Sequence, residues 1–137
     1  MSRGIEFNNP FDLEFVPQTV PWIGQTGRDG DLLIFDTIEN GLRAGFKDIK
    51  NAVVRDGFNT LNKFAAHYAP PDENDTAAYV RGLASTTGSG PDDVLILDEP
   101  EELINLAHAV LIQEQGADYA VTLTEEQLER AASEALA

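Results

Sequence analysis

The chain contains no cysteine. That removes disulfides, thiolate metal sites and a cysteine nucleophile at once. It leaves the compartment open, since many cytosolic proteins also lack cysteine. Bases are scarce and unevenly placed. Residues 69–137 hold only Arg81 and Arg130 against fifteen acids, whereas residues 1–68 hold seven bases against nine acids. The formal net charge is -15. Such a surface repels DNA, RNA and anionic lipid, so no nucleic-acid partner is expected. Long apolar runs are missing too: nothing approaches the roughly 20 residues of a membrane span. Met1 to Glu6 is polar and no apolar stretch follows, so no signal peptide is expected. There is no phosphate-cradling glycine loop, no metal-protease helix and no EF-hand loop. The only histidines, His67 and His108, have no ligand-spaced partner. No metal and no cofactor are expected.

Apolar residues make up 42% of the chain, including seven Phe. That fits one globular domain over residues 1–137. Residues 1–36 carry no helical period and are broken by Pro10, Pro17, Pro21, Gly24, Gly27 and Gly30. They are too apolar for disorder, so an irregular packed segment is expected, with a short strand at 32–35. Residues 37–116 read as the helical core. Thr37 caps a helix with Ile38, Leu42, Phe46, Ile49 and Val53 on one face, stopped by Gly57. Thr60 caps a second, with Leu61, Phe64, Ala65 and Tyr68 inward, stopped by Pro70-Pro71. Asp75 caps a third that ends near Gly88, and it also accounts for the acidic cluster Asp72, Glu73, Asp75. Asp98 is expected to cap a fourth, with Pro100 in its first turn. Residues 117–137 form an acidic C-terminal helix, where Thr124 and Gln127 make a capping box. The fold class is mainly α with one short strand or hairpin.

One residue breaks the pattern. The stripe of the fourth helix runs Leu103, Ala107, Val110, Leu111, and its next position is Glu114. Gly116 then stops the helix. Partial burial and the negative end of the helix dipole both favour the protonated acid. A protonated Glu at a cleft edge is what glycosidic cleavage uses as general acid. A solvated Glu in a frayed last turn is the plainer alternative.

Several segments, in order, carry a resemblance. They are Arg3-Gly4-Ile5 with Asn8-Asn9-Pro10, then Trp22-Ile23-Gly24-Gln25-Thr26-Gly27, then Phe35-Asp36 leading to Gly41-Leu42-Arg43-Ala44. Tyr68-Ala69-Pro70-Pro71 with Glu73-Asn74-Asp75-Thr76 and Tyr79 follows, and Gln113-Glu114-Gln115-Gly116 closes the set. Together they resemble phage virion and prophage structural proteins of lysozyme-like, murein-lytic character. The middle also looks like the wall glucosaminidases, with the Glu-x-Gly helix last instead of first. The resemblance implies a lysozyme-like domain, circularly permuted, with Glu114 as general acid. It implies a virion-borne protein that cuts peptidoglycan during genome entry, as a lytic transglycosylase or muramidase. Its partners would be peptidoglycan and other virion proteins.

A transglycosylase needs one such carboxyl. A hydrolase needs a second at about 5–9.5 Å, for which Asp36 and Glu73 are the candidates. Asn8, Asn9, Trp22, Tyr68 and Tyr79 would line the groove. The chain departs from the pattern at Phe11-Asp12, where the family has Gly-Asn. Phe cannot cheaply adopt backbone geometry open to Gly, so an altered cleft is expected there. The alternative implied by that departure is a non-enzymatic virion protein that keeps the fold and binds its neighbours.

Overall fold

The computed structural model describes residues 3–17 and 19–137. It is mainly helical, with one two-stranded antiparallel hairpin. α1 (Arg3–Glu6) precedes the hairpin strands β1 (Gln25–Asp29) and β2 (Leu32–Phe35). Then come α2 (Ile38–Lys50), α3 (Leu61–Tyr68), α4 (Thr76–Thr87), α5 (Pro100–Gln115), α6 (Ala117–Ala120) and α7 (Glu125–Leu136).

The caps follow from side-chain oxygens placed to accept orphan amides. Thr37 accepts from Asn40 N–H, Thr60 from Lys63 N–H and Asp75 from Ala78 N–H. Thr124 and Gln127 form the reciprocal capping box. The cap of α5 is Glu99, not Asp98, and its side chain makes no capping bond. Pro100 explains the shift. Its fixed φ and missing N–H suit the first helical position, so the cap falls on the residue just before it. Beyond α2 the chain makes a π-helical turn, Asn51–Arg55, closed by Asp56 N–H donating to Asn51 O at 2.9 Å. Gly57 follows at φ 79, a conformation only glycine adopts cheaply.

Leu42, Phe46, Ile49, Phe64, Val80, Leu83, Leu103 and Val110 all lie in one buried apolar cluster. α7 packs along α2 and α5 through buried Ala131, Ala132 and Ala135. Arg43 pairs with Glu134 at 3.4 Å across the α2–α7 seam.

Residues 1–36 are more regular than the sequence indicates, although Met1, Ser2 and Gln18 lie outside the described residues. α1 is a single turn, too short to show a period. β1 is Gln-Thr-Gly-Arg-Asp and carries no apolar alternation, so only its pairing with β2 defines it. This segment is laid onto α2 where two glycines leave room. The Phe11 ring sits on Gly45 and meets Phe46 edge-on at 5.8 Å. The Asn8 carbonyl sits on Gly41, where a Cβ would overlap it.

Candidate functional site

Glu114 occupies the last turn of α5 and is half-buried, directly beyond the buried positions Leu103, Ala107, Val110 and Leu111. Two other elements reach it. The Tyr79 hydroxyl of α4 donates to Glu114 Oε1 at 3.4 Å. The Asp12 carboxyl, from the segment after α1, stands beside the Glu114 carboxyl, close enough for each acid to shift the other's titration. The next residue of α5 reinforces the junction: Gln115 Nε2 donates to Pro10 O at 2.9 Å and to Asp12 Oδ2 at 3.2 Å.

Asp12 reaches this position because its backbone is left-handed, with φ 53. A local pin holds it there. Asn9 is 0% exposed, and its amide is fully engaged. Its Nδ2 donates to Leu13 O at 2.9 Å and Leu33 O at 3.0 Å, and its Oδ1 accepts from Leu13 N–H at 2.9 Å. Gly4 lies against the Asp12 carboxyl, where any Cβ would displace it. The expected backbone conflict at Phe11 does not arise. Phe11 fills the core, and the left-handed residues of this segment are Asn8 and Asp12. Asn and Asp tolerate that region better than other non-glycine residues.

The electrostatics follow from burial and like charge. Removal from water pushes the Glu114 carboxyl up to about 7, the negative charge of Asp12 and the bond to it add to the rise, and the Tyr79 hydroxyl opposes it. Asp12 is also raised, first by burial and further by Glu14, against the hydrogen bonds from Gln115 and Glu114. Burial and the neighbouring Asp12 charge therefore favour the protonated form of Glu114. Tyr79 is pushed far up, chiefly by burial and then by the Glu114 charge. Behind it, the Tyr68 hydroxyl donates to Asp48 Oδ2 at 2.5 Å and its ring stacks on Phe64 at 4.4 Å. Burial raises Asp48 as well.

Of the residues singled out by sequence, Tyr68 and Tyr79 come together with Glu114; Tyr68 itself lies within the electrostatic reach of both Tyr79 and Glu114. The others go elsewhere. Asn9 has no surface to offer a ligand, so its expected place in a groove is corrected to that of the pin. Asn8 is half-buried and donates from Nδ2 to Phe35 O at 3.2 Å. Trp22 packs against the core, and its backbone N–H donates to Gln25 Oε1 at 3.1 Å. Asp36 is exposed and accepts from Asn40 Nδ2 at 2.9 Å. Glu73 is exposed in the turn before α4.

The acid actually paired with Glu114 is Asp12, which sequence reasoning passed over. The signal was present, since Asp12 sits at the departure from the family pattern. Two surface depressions among the described residues are lined without Glu114. One is bounded by Thr87, Val94–Leu97 and Leu106, the other by Glu99–Glu101, Ile104, Glu129 and Ser133. Among the described residues, no group of three or more His, Cys, Asp or Glu could hold a metal ion. None of their helices is long and apolar enough to cross a membrane.

No family model matches the sequence. Over 90 residues, the chain is 32% identical to Protein P5 of Pseudoalteromonas phage PM2, a stretch that covers 64% of this chain and 56% of that protein. The chain thus spans little more than half of that relative's length, and it is similar to a phage protein.

Proposed function

We propose that this chain is a structural component of a phage particle: a single unit over residues 1–137 whose acidic C-terminal half meets neighbouring virion proteins. The closed junction at the end of α5 carries this reading: Gln115 Nε2 donates to Pro10 O at 2.9 Å and to Asp12 Oδ2 at 3.2 Å, and Asp12 lies beside Glu114. These bonds clamp the N-terminal segment to α5 over Glu114, instead of leaving the acid to face a glycan strand. The similarity to a PM2 protein supports the phage assignment. The fifteen acids and two bases of residues 69–137 support contact with basic surfaces.

A second reading keeps the lysozyme-like fold and its murein-lytic activity, with Glu114 as general acid. One observation favours it: a carboxyl pushed up to about 7 keeps its proton near neutrality, as a general acid must. Glu114 would then protonate the leaving oxygen between Tyr68 and Tyr79, after giving up Asp12.

A zymogram on purified murein with wild type and Glu114→Gln separates the two. The structural role requires that neither protein lyses murein above a blank. Lysis by wild type that drops by about 10² or more in the Gln variant makes the lytic reading the correct one. Mass spectrometry of purified particles tests the virion location, and absence of the chain from them defeats both readings.

A further inference from the structure

Between α4 and α5 the chain runs extended through Val94-Leu95-Ile96-Leu97. The exposure alternates along it. Leu95 and Leu97 turn inward onto the core, while Val94 is 66% and Ile96 59% exposed. That alternation belongs to a strand with one buried face, yet among the described residues the segment pairs with no strand. Its inner side is anchored by Leu95 N–H donating to Asn59 O at 2.7 Å. Among the described residues, no other backbone N–H or C=O of 94–97 enters a hydrogen bond. The chain here is an open edge carrying two exposed β-branched side chains, which is a template for pairing with another chain. A depression of about 260 Å³ opens beside it, floored by Leu106 and walled by Thr87 and Glu102.

The surrounding charge is of one sign. Asp92, Asp93, Asp98, Glu99, Glu101 and Glu102 are all exposed, and residues 89–102 contain no base. Among the described residues, none of these six acids joins an ion pair. A second copy of this chain would bring the same -15 charge to the contact, so the edge repels itself.

We propose that Val94–Leu97 is a docking edge for an extended segment of another protein, one that alternates apolar residues with Lys or Arg and adds to the edge as a strand. Backbone pairing would supply affinity, the depression would take an apolar side chain, and the six acids would select the cationic partner. The proposal rests on the structural-role reading for the partner's origin in a virion.

The test uses the full-length ¹⁵N-labelled protein and three capped synthetic peptides of about eight residues, a strand's usual length. One alternates Val and Lys, one alternates Val and Glu, and one is the Val/Lys peptide with alternate amides N-methylated. The Val/Lys peptide should shift the amide resonances of 94–97 and bind more weakly as salt rises. The Val/Glu and N-methylated peptides should not bind. Val94→Lys combined with Ile96→Lys should weaken binding about tenfold or more by removing the apolar face and adding like charge. Both side chains already stand in solvent, so melting should hardly change, and Val94→Thr with Ile96→Thr gives a milder check on the same face.

Failure of the Val/Lys peptide to bind overturns the proposal. So does equal binding of the Val/Glu peptide, retained binding after N-methylation, or shifts confined to another surface. Murein lysis by wild type would overturn the structural role without altering this titration. A failed titration leaves the structural role standing without this edge.

Discussion

Converting Glu114 to Gln should change how stability depends on pH. In the folded protein the Glu114 carboxyl is raised from its ordinary value near 4.5 to about 7. Between those values the folded chain keeps a proton that the unfolded chain has lost. Folding stability is then fully present below about pH 4.5, declines as pH rises, and levels off once Glu114 ionises above about 7. The shift is about 2.5 units, and each unit corresponds to about 1.4 kcal/mol, so the decline attributable to Glu114 is at most roughly 3 kcal/mol. Gln keeps the size, stays neutral, and can still donate to Asp12. The variant should therefore match wild type near pH 4.5 and exceed it near pH 8 by up to roughly 3 kcal/mol. For a chain of this length that is about 10 °C in Tm. Asp48 is raised as well and tilts both proteins equally, whereas Asp12 interacts with Glu114, so the difference between the two curves reports the Asp12–Glu114 pair. Urea denaturation at several pH values between 4.5 and 8 measures it. Parallel curves for the two proteins would refute a Glu114 carboxyl raised by burial and by Asp12.

Asn9→Ala should cost about 2 kcal/mol or more, because it strips the side-chain partner from Leu13 N–H and Leu33 O in a site closed to water, while Leu13 O keeps Leu33 N–H; a urea midpoint close to that of wild type would contradict this. Gly41→Ala should destabilise by a similar or larger amount by lifting the Asn8 carbonyl off α2, and hydrogen exchange should show residues 3–13 opening first; unchanged protection there would dismiss the packing argument. At about physiological ionic strength the protein should not shift DNA in a gel, since its net charge is -15; a tight, salt-sensitive shift would contradict that.

The helical half of the fold was legible because its determinants are local. Thr37, Thr60, Asp75 and Thr124 sit immediately before periodic apolar runs, and each caps the helix it precedes. Step counting alone placed Glu114 on the inner stripe of α5, and burial there follows from the stripe. The -15 charge and its concentration in residues 69–137 are likewise properties of composition. Other features arise from contacts distant in sequence. Asp12 meets Glu114 only because Asn9 reaches Leu33 and because Gly41 and Gly45 let residues 8–11 lie on α2, all of them pairings more than twenty residues apart. β1 has no strand pattern of its own and exists through its register with β2. Asn9, which the resemblance placed in a groove, is sealed by the same packing. Local sequence set the helices and the charge, because caps and periods act within a turn or two of the chain. Tertiary structure chose the neighbour of Glu114, because bringing together two carboxyls 102 positions apart depends on how the whole chain closes.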